Sequence, residues 1–184
     1  MATLQRSILL SLLVAGAASC QAGQPGRTLY DLGYGGGAGV AIGAFRYADE
    51  GRGGYIAMNT TGLGEGKGTN YDGTLGPGGF PGDEKTGESE SGIGMSGGFT
   101  YRANDTFGAF AGLAYNVNTI YNNYYDPTHI LDPSGHYNVT AEDDGALGLE
   151  VGGHLMASPS LALGLRANTA TGGVILSLAW TPTP

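Results

Sequence analysis

Residues 145–180 read GALGLEVGGHLMASPSLALGLRANTATGGVILSLAW, and their alternation limits what this chain can become. Leu147, Leu149, Val151 and Leu155 share one parity, against Gly148, Glu150, Gly152 and His154 on the other. After a break, Leu161, Leu163, Leu165 and Ala167 alternate with Ala162, Gly164, Arg166 and Asn168. A third run sets Val174, Leu176, Leu178 and Trp180 against Gly173, Ile175, Ser177 and Ala179. Successive side chains of a strand point to opposite faces, so each run has one apolar face and one small or polar face. A soluble sandwich turns its large residues toward a second sheet. A membrane barrel turns them toward lipid and fills a narrow interior with small and polar groups. Glycine on the second face favours the barrel.

The same period recurs upstream. Strands are expected over Thr28–Tyr34, Gly39–Ala48, Gly54–Leu63, Gly92–Arg102 and Thr106–Asn118. In the first, Tyr30, Leu32 and Tyr34 share a face. The second is ambiguous, because Val40 and Ile42 oppose Phe45 and Tyr47. In the fifth, Phe110 is a large residue on the small face. The count predicts an all-β fold: an antiparallel up-and-down transmembrane β-barrel of about eight strands, one domain over residues 28–181. Long loops are expected at about 64–91 and 119–144, both rich in polar residues and without a sustained period. Short turns at Asp49–Arg52, Asn104–Asp105 and Ser158–Pro159 fall at every second connection, although Gly35–Gly37 and Thr169–Gly172 are short as well. Long outer loops opposite short periplasmic turns are a property of outer-membrane barrels, and an even strand count puts both termini in the periplasm. Tyr30, Tyr47, Tyr101, Phe107, Tyr115 and Trp180 fall near strand ends, where interfacial girdles form.

Residues 1–22 have the parts of a secretory signal: Arg6, an apolar core over Ile8–Val14, then small residues. That core is too short for a spanning helix, which needs about 20 apolar residues. Cys20 is the only cysteine, so no internal disulfide can form. Ala17-Ala18-Ser19-Cys20 is similar to the lipobox of bacterial lipoproteins, making Cys20 a candidate lipidation site. The alternative is a cysteine inside an ordinary cleaved signal. The net charge of −8 argues against nucleic-acid binding, which calls for a basic face.

From His154 to Trp180 the chain runs through a strand, a Ser-Pro turn, a Leu-Ala-Leu-Gly strand, a Thr-Gly-Gly turn and a last Val-Ile-Leu-Ser-Leu-Ala-Trp strand. This resembles the C-terminal hairpins of small bacterial outer-membrane β-barrels, the group that includes the membrane domain of OmpA, OmpX and OmpW. The resemblance implies that Leu176, Leu178 and Trp180 form the signal read by the barrel-assembly machinery. In the family the aromatic usually ends the chain, whereas here Thr181–Pro184 follow. It also implies contact with outer-membrane lipid, and the charge of the acidic outer loops suits bridging to lipopolysaccharide phosphates through divalent cations.

Glu150, His154 and Arg166 fall on the inward parity of adjacent strands, and Arg102 is a candidate for the interior near the periplasmic end. A turn through Ala157-Ser158-Pro159 sets Glu150 opposite Arg166. Pairing Ala157 with Leu161 instead makes them diagonal neighbours, still within reach. A dry interior favours a paired carboxylate and guanidinium over a lone charge, so an ion-pair plug is expected. A gate or proton-sensitive constriction involving His154 is the alternative. His129, His136, Asp126, Asp132, Glu142, Asp143 and Asp144 share one loop without a recognised metal-ligand spacing. No cofactor is expected, since the glycine strings lack a following helix to hold phosphate. No G-x-S-x-G elbow or His-x-Ser motif occurs. The expected role is therefore non-enzymatic: structural, or surface interaction with an unspecified extracellular ligand. A narrow porin-like channel is the first alternative, as interior glycines leave some space. A soluble periplasmic β-sandwich lipoprotein is the second.

Overall fold

The computed structural model describes residues 26–48, 52–62, 68–71 and 75–182. The expected N-terminal signal and Cys20 lie outside them. Among the described residues there is no helix, and nine strands form: β1 (Gly26–Gly36), β2 (Gly39–Ala48), β3 (Arg52–Thr61), β4 (Thr69–Asn70), β5 (Glu84–Arg102), β6 (Phe107–Tyr125), β7 (His136–Ser158), β8 (Leu161–Asn168) and β9 (Gly173–Trp180). The chain divides into two compact units. The first comprises Met1–Asn59, Gly94–Tyr115 and Leu147–Pro184; the second comprises Thr60–Ile93 and Asn116–Ala146.

The first unit holds a ring of eight antiparallel strands. Hydrogen bonding runs in the order β7-β6-β5-β3-β2-β1-β9-β8 and returns from β8 to β7. β1 closes the ring against β9, with Tyr30 opposite Trp180 and Gly36 opposite Val174. This is a transmembrane β-barrel. Leu147, Leu149, Val151, Leu155, Leu163, Leu165, Leu176 and Leu178 all face outward and exposed. Tyr101, Phe107 and Trp180 are exposed at the strand ends that carry the short turns, and the Tyr30 ring lies 6.4 Å from that of Trp180. Tyr47 departs from the expected girdle: it is buried inside.

The interior resolves the ambiguous second strand. Phe45 and Tyr47 point inward with Ala41, while Ile42 points out. Phe45 stacks on Tyr55 at 5.0 Å, and Phe110 lies 4.7 Å from Phe45 and 5.0 Å from Tyr55. Phe110, anomalous in the sequence, is a core residue of this cluster. Several inward glycines lie against other residues, where the sequence led to an expectation of free space. At Gly43, Gly108, Gly152 and Gly164 a ring lies against the wall. A Cβ on Gly108 would collide with the Tyr47 ring, and one on Gly164 with Ser177 and His154. Large residues on one strand are thus matched by glycine on another, as close packing requires.

The second unit corrects the expected loop boundaries. β5 begins at Glu84, β6 runs to Tyr125 and β7 begins at His136, so 84–91, 119–125 and 136–144 are strand. These segments are polar on both faces over long stretches, which removes the alternation that marks a strand with one apolar face. Cross-strand bonds hold them, such as Ser89 to Asn123. A membrane crossing takes about 9–11 residues. β5 and β6 have 19 residues each and β7 has 23, so all three run well past one crossing. β4 adds a short parallel pairing to β7, Thr69 to Tyr137. Tyr124, Tyr137 and Val139 form a core of the second unit's own.

Gly108→Ala should destabilise the barrel by about 1–3 kcal/mol through overpacking against Tyr47. Gly36→Ala, where a Cβ meets nothing within 4 Å, is the matched control and should be near neutral. Urea unfolding of both variants in lipid vesicles measures the difference.

Candidate functional site

Two features of the fold bear on function: a charged cluster inside the ring, and a tightly held hairpin loop in the second unit.

The cluster centres on Asp31 and Arg166. Asp31 is the single charged residue of β1 at inward parity beyond the strand's opening, and it is 3% exposed. Its Oδ1 accepts from Arg166 Nη2 at 2.5 Å. Its Oδ2 accepts from the Ser177 hydroxyl and from His154 Nε2, the latter at 3.2 Å. The other ring nitrogen of His154, Nδ1, hydrogen-bonds the Tyr47 hydroxyl at 2.9 Å. Glu150 accepts from Ser96 Oγ at 2.8 Å and from Asn168 Nδ2 at 3.1 Å. The Arg166 guanidinium lies 5.7 Å from the centroid of Phe45, which adds a cation–π contact. Its Nη1 stands 3.9 Å from Glu150 Oε1.

The sequence therefore places Glu150, His154 and Arg166 in one cluster but assigns the partners differently. Glu150 is not opposite Arg166. Glu150 pairs with Asn168 and Arg166 with Gly152, the diagonal arrangement. A register shift between Met156 and Ser158 produces it. Arg166 makes its short bond to Asp31, a residue on a distant strand that the ring brings adjacent through β9. Arg102 stands apart from the cluster. It pairs with Asp105 at 2.5 Å across the short turn. With Tyr47, His154 and others it lines a void of about 20 Å³, roughly the room of one water molecule. Leu176, Leu178 and Trp180 lie on the outer face of β9.

The loop after β6 is built on its aspartates. The Asp126 carboxylate accepts from the backbone N–H of Thr128, Ile130 and Leu131 at 2.7, 2.8 and 3.0 Å, and from the Thr128 hydroxyl. Asp132 accepts from Ser134 N–H at 2.7 Å and Thr69 Oγ1 at 2.6 Å. These donors, the Leu131 amide foremost for Asp126 and the Ser134 hydroxyl for Asp132, pull each carboxyl down to about 2. His129 sits at φ 55, and its ring bonds Tyr125 and the Pro133 carbonyl. Asp126, Asp132 and His129 are thus committed to shaping the loop. Among the described residues no group of three or more His, Cys, Asp or Glu gathers as a metal site.

No protein-family model and no curated protein matches the chain. Solved structures do. The outer-membrane protein Ail of Yersinia pestis, in a phospholipid bilayer nanodisc, aligns at a TM-score of 0.52 and 11% identity, covering 86% of this chain and 100% of that one. A de novo designed transmembrane β-barrel aligns at 0.44 and 12% identity, over 87% and 98%. Neisserial surface protein A aligns at 0.37 and 13% identity, over 84% and 91%. The likeness to Ail shows the fold, that of a small outer-membrane β-barrel.

Arg166→Met should cost about 3–5 kcal/mol, because it strands two buried carboxylates. Adding Asp31→Asn should recover part of that loss, read by urea unfolding in lipid vesicles. The Asp126 contribution to loop order should be fully present above about pH 4 and vanish as pH falls through about 2. Protection of the Ile130 and Leu131 amides from hydrogen exchange, followed against pH, reads it directly.

Proposed function

We propose that this chain is an outer-membrane β-barrel protein with a non-enzymatic role, in which the ring anchors the second unit for interaction at the cell surface. One observation carries the reading. Three adjacent strands continue for about twice the length a crossing needs, and they continue into a unit with its own core and a tightly bonded loop. A purely structural plug for the membrane has no use for such strands.

The apolar belt fits lipid, and both termini then belong on the periplasmic side, with the β5–β7 extensions outside. Leu176, Leu178 and Trp180 supply an assembly signal, and Cys20 a lipid anchor if the signal is cut before it. Exposed acids such as Glu142 and Asp144 suit bridging to lipopolysaccharide phosphates through divalent cations. The interior supports a plug rather than a channel: Phe45, Tyr55, Phe110, His154 and Arg166 meet across it, all buried. The closed ring, in which every sheet edge of the first unit is paired, supports a barrel over a two-sheet sandwich.

The folded chain should be recovered from the outer-membrane fraction, shift in mobility on a detergent gel only after boiling, and give no channels in planar bilayers. Steady conductance from the heat-modifiable form would replace the surface role with a transport one.

A further inference from the structure

The second unit presents a built apolar site. A pocket of about 290 Å³ is lined by Phe80, Pro81, Pro127, Ile130 and Leu131, with Asp83 on its edge. That volume lies at the bottom of the range for small-ligand sites, roughly 300–1,000 Å³, and suits one large side chain. Ile130 is 82% exposed and Phe80 53%. Neither sits on a slack tip. The amide N–H groups on both Ile130 and Leu131 are held by the Asp126 carboxylate, and His129 before them occupies the left-handed region. The Phe80 amide donates to Tyr137 Oη at 2.9 Å, and Tyr137 in turn donates to Asp83 at 2.8 Å. Two bulky apolar groups are thus held rigidly in contact with water. A backbone strain and a fixed apolar exposure at one place indicate a docking surface.

Charge identifies the occupant. Residues 60–93 and 116–146 contain eleven Asp and Glu against two Lys, a net −9, while the rest of the chain is slightly positive. Lys85 is already paired with Glu88. A polyanion or an acidic protein meets repulsion here, whereas a cationic segment gains both steering and contact.

We propose that the Phe80–Ile130 pocket receives a bulky apolar side chain from a basic polypeptide segment. The acids around it hold the flanking lysines or arginines. This rests on the surface role proposed above and specifies its partner class. The pocket provides the anchor that fixes register, and the field provides the encounter rate.

The test uses the full chain in nanodiscs of zwitterionic phosphatidylcholine, with three synthetic probes: a lysine-rich peptide with one central tryptophan, the same peptide with serine for tryptophan, and a glutamate-for-lysine version. The tryptophan–lysine peptide should bind, and binding should weaken with salt. The serine version should bind ~10-fold or more weakly, the loss expected for one buried aromatic. The glutamate version should not bind. Ile130→Ser and Phe80→Ser should each cause a similar loss for the tryptophan peptide only. Both positions are exposed, and retention of the heat-dependent gel shift verifies folding in each variant. Equal binding of the tryptophan and serine peptides, indifference to both substitutions, preference for the glutamate peptide, or no binding by heat-modifiable protein overturns the inference. Those results leave the barrel and its surface role standing. Loss of the heat shift in the unmodified chain would instead remove the surface role itself.

Discussion

A strand that crosses hydrocarbon finds no water for its backbone, so each N–H and C=O must be paired within the protein. The pairing of β1 with β9 meets that condition by closing the ring. Everything inside the first unit follows from it. Eight strands enclose a space only wide enough for side chains. Large residues therefore enter from a few positions, and glycine must stand where their rings touch the wall. The Phe45, Tyr55 and Phe110 group is possible because Gly43, Gly112 and Gly152 carry no side chain where those residues lie against the wall.

Closure also dictates the electrostatics. A guanidinium inside such a ring cannot shed its charge. Arg166 needs a carboxylate at hydrogen-bond distance, and Asp31 supplies it. The second carboxylate, Glu150, is held by neutral donors from Ser96 and Asn168 instead. His154 extends the cluster toward Tyr47, bonding Asp31 on one side and Tyr47 on the other, while Arg166 stands between Asp31 and Glu150. Such an arrangement specifies which strands lie next to each other. Ser177 of β9 donates diagonally to Asp31 of β1, across the two strands that seal the ring. A buried polar network that spans the seam favours one closure register over a slipped one.

The legibility of this chain depended on solvent contrast. The last three strands could be read residue by residue because lipid covers one face and a packed interior the other. β2 resisted for the opposite reason: Phe45 and Tyr47 are large residues that belong inside, so size no longer indicates direction. Asp31 was visible in principle, as a lone charge opposite Tyr30 and Leu32 in parity. Its partnership with Arg166 was not, since that depends on which distant strand closes the ring. The hairpin register was narrowed to two arrangements, and the shift near Ser158 decided between them. The extensions of β5, β6 and β7 were read as loops because strands with polar groups on both faces carry no period of two. Their sheet is set by backbone bonds and tyrosine contacts across the second unit, neither of which has a local signature.

The division of charge between the units has a physical origin in the two environments. Within the ring a charge is tolerated only when paired, so few are present and nearly all are matched. Outside hydrocarbon an acid costs little, and the second unit has accumulated a net −9. The aspartates there divide further by use. Asp126 and Asp132 spend their lone pairs on backbone amides and hydroxyls, which makes the loop rigid. Glu142, Asp143 and Asp144 stand exposed on β7. A loop capped by two aspartates beside a tyrosine core differs from a solvated polar tail, which would need neither. The ordering of backbone around Ile130 costs conformational entropy that the exposed side chain does not return in the free protein. The Asp126 carboxylate, which accepts from the Ile130 and Leu131 amides, meets part of that cost within the second unit itself.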